Sequence, residues 1–217
     1  MRNNTIIIGD SYSTFEGFVP EGYAVYYSPN DEIDIGVTNV SETWWHKLAQ
    51  EANLNLIMNN SWSGSTICYT AYGGRDCSGD SSFICRFKKL ASEGFFDKND
   101  INTVFVFGGT NDSWSNAPLG DIKLSDWKES DLFYVLPAIC CFLKLLKDTL
   151  PKARIYCLVN TEIKDEIISA MNLACKEYGV TPINFDRIDK KYGHPTVQGM
   201  IDIKNGVMSI INSDTNV

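Results

Sequence analysis

Short apolar runs alternate with amphipathic segments along most of the 217-residue chain. Apolar runs rich in β-branched and aromatic side chains predict buried strands, whereas apolar positions confined to one face of a longer segment predict helices. The predicted strands cover residues 5–8, 54–58, 102–107, 154–159 and 181–185, and the predicted helices cover residues 41–52, 83–92, 131–150, 163–178 and 195–211. Strands separated by helices indicate a parallel sheet with helices on both faces, so residues 1–217 are predicted to form one α/β domain.

Three helix ends carry recognisable signals. Ser41 is placed to cap the first predicted helix, and Pro195 suits the first turn of the last one. Gly179 follows the helix of residues 163–178, where glycine commonly ends a helix. Residues 113–129 are predicted to form a long loop.

Charge and cysteine content narrow the class of protein. Nineteen Lys and Arg residues oppose 27 Asp and Glu residues, and the net charge of −8 disfavours binding to nucleic acid. The longest apolar stretch, residues 135–143, is far too short to span a membrane, and no signal-peptide pattern is visible at the start, so we expect a cytoplasmic protein. Seven cysteines without a CxxC motif predict reduced thiols, and the two histidines do not match a zinc motif, so no metal is expected. The oligomeric state stays open.

Polar residues follow the carboxyl ends of the predicted strands, which is where ligands bind in a parallel sheet. Gly9-Asp10-Ser11 follows the first strand, Ser63-Gly64-Ser65 the second and Gly109-Thr110-Asn111-Asp112 the third, and His194 lies beyond the fifth. We therefore expect these segments to meet at one edge of the sheet. A serine activated by an imidazole, with the Ser11 and Gly64 amides and the Asn111 side chain as oxyanion donors, suits acyl transfer.

These four blocks, in this order, resemble those of the SGNH hydrolases, also called GDSL-like esterases and lipases. The resemblance spans residues 9–200 and implies a flavodoxin-like, three-layer α/β/α sandwich with a five-stranded parallel sheet. It also implies a serine esterase that needs no cofactor, with Ser11 as nucleophile, His194 as base, and Ser11, Gly64 and Asn111 forming the oxyanion hole.

Two positions depart from the family pattern. Tyr12 stands where the GDSL name has leucine, and Lys191 stands three residues before His194, where the family usually has the triad acid. Asp189 is the nearest carboxylate and is our first candidate for that acid. Asp186, or a dyad completed by a backbone carbonyl, remains open.

The sequence defines the type of reaction more closely than it defines the substrate. We expect a small acyl ester, such as an acetyl group on a sugar, because no long apolar segment suggests a lipid-binding lid. Tyr72, Trp114 and Trp127 could stack on a sugar, line an acyl pocket or simply pack their loops. A lysophospholipase, a thioesterase and a non-catalytic binding module are alternatives. Nucleotide binding is disfavoured because no GxGxxG or P-loop motif is present.

Overall fold

A five-stranded parallel sheet forms the centre of the protein. The computed structural model describes residues 3–30, 32 and 34–214. Its strands are β1 (Asn3–Gly9), β2 (Leu54–Ser61), β3 (Thr103–Gly108), β4 (Arg154–Val159) and β5 (Thr181–Asn184), in the spatial order β2-β1-β3-β4-β5. Every neighbouring pair is parallel. All five predicted strands are confirmed.

Helices cover both faces of this sheet. They are α1 (Trp44–Glu51), α2 (Phe83–Ser92), α3 (Phe95–Lys98), α4 (Thr110–Trp114), α5 (Val135–Thr149), α6 (Asp165–Tyr178) and α7 (Val197–Asp214). Because successive strand residues point to opposite faces, β3 divides its side chains between two cores. Val104 and Val106 pack in one with α2, α5 and α6, whereas Phe105 and Phe107 pack in the other with α1 and α7. The predicted three-layer sandwich is confirmed.

Several helix boundaries differ from the prediction. The hydroxyl of Thr43, not that of Ser41, accepts a hydrogen bond from the first turn of α1, because Ser41 lies in a preceding 3₁₀ turn, Val40–Glu42. Pro195 lies in a short strand, so α7 begins only at Val197. Gly179 does end α6, in the left-handed conformation with φ of 65°.

The loop predicted for residues 113–129 is also shorter than expected. Trp114 belongs to α4, and a 3₁₀ turn, Glu129–Phe133, precedes α5. The seven cysteines, all within the described ranges, are free thiols. None of the helices in the described part of the chain has the length and apolar character required to cross a membrane.

Candidate active site

Ser11 lies immediately beyond the carboxyl end of β1, in the 3₁₀ turn Ser11–Ser13. Oδ1 of Asp10 accepts the N–H of Tyr12 at 3.0 Å and so caps this turn. Gly9 is required at the end of the strand, since a Cβ there would lie 2.7 Å from Oγ of Ser61 and 2.8 Å from Oγ of Ser13. The nucleophile candidate is therefore held on a tightly packed turn and is only 2% exposed.

His194 reaches Ser11 from a small hairpin near the other end of the chain. The hairpin joins β6 (Lys190–Lys191) to β7 (His194–Pro195) through the two-residue turn Tyr192-Gly193. Nε2 of His194 lies 3.0 Å from Oγ of Ser11, which is hydrogen-bond distance. The structure thus brings together the serine and the histidine that the sequence placed 183 positions apart.

Asn111 and Gly64 complete the group of four. Gly64 follows β2 with φ of 80°, and Asn111 lies in the first turn of α4. Nδ2 of Asn111 donates to the carbonyl of Ser65 at 3.0 Å, and Oδ1 accepts from the hydroxyl of Tyr72 at 2.9 Å. The Asn111 amide is therefore fixed against the Gly64 loop, and Nδ2 carries a second N–H that can serve a substrate oxygen.

The chain is similar to a known family over most of its length. Residues 3–211 match the family of GDSL-like lipases and acylhydrolases. The chain belongs to this family. The protein is therefore an ester-bond hydrolase, as the four sequence blocks predicted.

Solved structures agree with this assignment. Candidate GDSL-like lipases from Bacteroides ovatus and Bacteroides uniformis are 37% and 40% identical, each with a TM-score of 0.90. The alignments cover 98% of this chain and 99% and 96% of those chains, respectively. A family two carbohydrate esterase from Clostridium thermocellum, 18% identical with a TM-score of 0.67, shares the fold over 99% of this chain and 65% of its own. No curated protein matches.

In the usual triad, an acid contacts the ring nitrogen of the histidine that faces away from the serine. This chain differs at that nitrogen, Nδ1 of His194. Nδ1 lies 3.2 Å from the backbone carbonyl oxygen of Tyr192. Asp189 does not approach the ring, because the hairpin pairs Lys190 with Pro195 and so places Asp189 opposite Thr196. Its carbonyl accepts the Thr196 N–H at 3.1 Å, and its carboxylate accepts the Thr196 hydroxyl.

The assignment of Asp189 as triad acid is therefore wrong. For Asp189 to reach His194, residues 190–193 would have to loop outward, but they form a tight hairpin that turns the chain before the Asp189 carboxylate can reach the ring. Asp186 is exposed just beyond β5 and lines a groove of about 620 Å³ beside α7. The open alternative of a backbone carbonyl matches the observed contact.

The surroundings of His194 favour its neutral form. Burial is the main reason why the pKa of His194 is lowered from 6.5 to about 4; the Tyr192 carbonyl acts in the opposite direction, and the positive charge of Lys190 contributes to the lowering. The ring of Tyr26 stacks on the imidazole with centroids 3.5 Å apart and planes 10° apart, and the edge of Trp114 lies against it at 5.5 Å. A neutral imidazole is the form that can accept the Ser11 proton.

Two buried charged residues hold the loops of the site together. Arg86 of α2 is 1% exposed, and its guanidinium donates to the Gly9 carbonyl and the Ser65 hydroxyl, both at 3.1 Å. The carboxylate of Asp112 accepts the N–H groups of Ile67 and Cys68 at 2.9–3.1 Å. Arg86 was not predicted from the sequence as a site residue, although its charge on the apolar face of α2 was a usable signal.

Exposed aromatic side chains belong to residues at or beside the site: the Tyr72 hydroxyl contacts Asn111, Trp114 contacts His194, and Tyr192 lies in the turn before His194. Tyr72, Trp114 and Tyr192 are 47%, 41% and 72% exposed, and Tyr192 was not singled out from the sequence. Trp127 does not join them, because it is half-buried and its Nε1 donates to the Lys123 carbonyl at 2.7 Å, which packs the loop. Among the described residues, no group of three or more His, Cys, Asp or Glu side chains is arranged to hold a metal ion.

Proposed function

We propose that Ser11 and His194 act as a catalytic dyad that hydrolyses esters of a small acyl group, with an acetylated carbohydrate as substrate. The observation that carries this proposal is the 3.0 Å contact between Nε2 of a neutral imidazole and Oγ of Ser11. In this geometry His194 takes the proton of the hydroxyl as Oγ attacks the ester carbonyl.

The intermediate then requires donors for its oxyanion. The backbone N–H groups of Ser11 and Gly64 and Nδ2 of Asn111 supply them in our proposal, since fixed donors stabilise charge that develops in the transition state. His194 passes its proton to the leaving alcohol, which leaves the acyl group on Ser11. A water molecule, deprotonated by the same imidazole, releases the acid.

Without a carboxylate at Nδ1, other groups must support the charged imidazole. The carbonyl of Tyr192 accepts the Nδ1–H and so fixes the tautomer in which Nε2, the nitrogen that faces Ser11, carries no proton. Burial keeps the resting imidazole neutral, but the face of Tyr26 lies directly on the ring and would stabilise the imidazolium formed during the reaction by a cation–π interaction. A dipole and an aromatic face thus take the place of the triad acid in this proposal.

The burial of the nucleophile and the exposed aromatic side chains nearby support a small acyl group on a sugar. Ser11, Asn111 and His194 are at most 8% exposed, which leaves a narrow approach to the nucleophile. The aromatic rim of Tyr72, Trp114 and Tyr192 offers flat apolar faces that suit the C–H face of a sugar ring. Structures with the same fold include the carbohydrate esterase solved with cellohexaose and an acetyl xylan esterase from Butyrivibrio proteoclasticus.

Covalent labelling tests the nucleophile. A fluorophosphonate probe should modify Ser11, identified by mass spectrometry of the digested protein, and the Ser11→Ala variant should remain unlabelled. Modification at another residue, or no modification, would refute the dyad. Among substrates, acetylated xylo-oligosaccharides should be hydrolysed with a higher kcat/KM than long-chain p-nitrophenyl esters. The reverse order would favour a lysophospholipase, and preference for acyl thioesters would favour a thioesterase.

A second candidate function follows from the lack of a contact between the Asp189 carboxylate and the imidazole of His194. A carbohydrate-binding module would keep the aromatic rim without turnover. Equal, background rates of p-nitrophenyl acetate hydrolysis by the wild type and Ser11→Ala, together with retained binding of acetylated oligosaccharides, would favour that function over the esterase.

A further inference from the structure

The turn that presents His194 has an unusual backbone. Tyr192 and Gly193 both have positive φ, 52° and 77°, as a two-residue hairpin turn of type I′ requires. Asn-Gly is the preferred sequence for such a turn, and a tyrosine rarely adopts this conformation. The carbonyl that faces Nδ1 of His194 therefore belongs to a turn that its own sequence does not favour.

A buried hydroxyl holds this turn from the nucleophile side. The hydroxyl of Tyr12 donates to the carbonyl of Gly193 at 2.5 Å, and the Tyr12 ring is completely buried. The two adjacent carbonyls of the turn are thus both engaged, that of Tyr192 by His194 and that of Gly193 by Tyr12. Leucine, the residue of the GDSL name, has no group that can make the second contact.

Other side chains keep the Tyr12 phenol in place. Its ring packs edge-on against Phe107 at 5.4 Å, and Nζ of Lys190 lies 5.7 Å from its centroid. That ammonium is itself fixed by the carbonyl and hydroxyl of Thr161 at 2.9 and 2.8 Å and by Glu162 at 3.1 Å. Burial raises the pKa of Tyr12, so the phenol remains protonated and able to donate.

We propose that Tyr12 is a positioning residue for the histidine. By holding the Gly193 carbonyl, its hydroxyl orients the neighbouring Tyr192 carbonyl toward Nδ1, which fixes the imidazole with Nε2 unprotonated toward Ser11. This inference rests on the proposed dyad. It links the two departures from the family pattern, because Tyr12 provides indirectly the orientation that an acid at position 191 would give.

The Tyr12→Phe variant tests this role through two readouts. In wild type, ¹⁵N NMR should show His194 as the Nδ1–H tautomer at neutral pH, with its signals assigned by their loss in His194→Gln. Tyr12→Phe should reduce that population and lower kcat for p-nitrophenyl acetate about 10- to 100-fold, part of the 10²–10⁴ that a positioned base contributes. KM should change less than about twofold, because Tyr12 does not touch the substrate.

Tyr27→Phe is the matched control. Tyr27 is also buried, and its hydroxyl donates at 2.9 Å to the carbonyl of Pro195, on the same hairpin but beyond the turn. Its removal should leave the tautomer unchanged and kcat within about twofold of wild type. Equal effects of the two variants, or an unchanged tautomer and kcat in Tyr12→Phe, would overturn the proposal.

Restoring the turn by another route provides a further test. Tyr12→Phe/Tyr192→Asn introduces the preferred Asn-Gly turn and keeps the backbone carbonyl. It should recover at least part of the tautomer population and of kcat on p-nitrophenyl acetate. A folded double variant with neither recovery would overturn the proposal. If wild type hydrolyses no ester, the proposed function fails, whereas the tautomer comparison still decides the role of Tyr12.

Discussion

Acidification through about pH 4 should inactivate the enzyme by protonating His194. The pKa of this residue lies at about 4 because burial disfavours the imidazolium. Relative to the ordinary value of 6.5, this corresponds to a free-energy difference of about 3 kcal/mol between the two protonation states. His194, the proposed general base, therefore remains neutral over most of the acidic range.

The pH dependence of kcat/KM for p-nitrophenyl acetate measures this directly. At pH 5.5 an imidazole with a pKa of 6.5 is only about one-tenth neutral, whereas one with a pKa of about 4 is almost entirely neutral. The rate should thus be level down to about pH 5 and then fall, approaching tenfold per pH unit below about pH 4. An acid limb near pH 6.5 would refute the reasoning.

The effect of Asp10 must be separated from that of His194, because both residues change protonation between about pH 4 and pH 7. Burial raises the pKa of Asp10 from 3.8 to about 7. Its folded form binds more protons between those values, so its contribution to stability increases as pH falls. His194 acts oppositely: between about pH 6.5 and 4 its unfolded form binds more protons, so stability decreases as pH falls.

Variants separate the two residues. The difference in unfolding free energy between wild type and His194→Asn should change by up to about 3 kcal/mol across pH 6.5 to 4, with wild type losing stability toward acid. A difference that does not vary with pH would contradict the lowered pKa. An activity limb near pH 7 that disappears in Asp10→Asn would belong to Asp10 and not to the base.

Three further variants probe the proposed oxyanion site and the residues that support it. Asn111→Ala should lower kcat about 10²–10³-fold in p-nitrophenyl acetate kinetics, and a wild-type kcat would remove Asn111 from the mechanism. Tyr72→Phe removes the donor to Oδ1 of Asn111 and should lower kcat several-fold. Tyr72→Phe should not lower kcat further when Asn111 is already replaced by Ala. An equal loss of kcat in that background would refute the coupling between Tyr72 and Asn111. Arg86→Met leaves buried carbonyls without their donor and should destabilise by at least about 3 kcal/mol in urea unfolding; a loss below about 1 kcal/mol would contradict this.

The apolar pattern predicted the sheet well because its central strands are buried on both faces. Residues 104–107 of β3 are fully buried, so the hydrophobic run coincides with the strand. β2 runs three residues past its predicted end, through Asn59, Asn60 and Ser61, which are buried polar residues. Asn59 and Asn60 have partners far away in sequence, Ser13 and Arg86 respectively, so hydrophobicity alone did not indicate this extension.

The positions of the three residues that follow β1, β2 and β3 were predictable for a different reason. Parallel strands carry their carboxyl ends to one edge, so Ser11, Gly64 and Asn111 had to approach one another. The partner of His194 was not predictable, because the register of a hairpin depends on its turn. Two residues of positive φ at Tyr192 and Gly193 reverse the chain early and direct Asp189 to Thr196.

Backbone geometry also explains why Lys191 at the usual acid position does not by itself argue against catalysis. A carbonyl can orient an imidazole and accept its Nδ1–H, but it carries no net charge and so raises the histidine pKa less than a carboxylate would. A low pKa is therefore expected for His194, a buried imidazole whose Nδ1 contacts a carbonyl instead of a carboxylate. A dyad built this way contains a weaker base than a triad, yet one that stays unprotonated in more acidic surroundings. The departures at Tyr12 and Lys191 therefore fit an enzyme whose working range extends toward low pH.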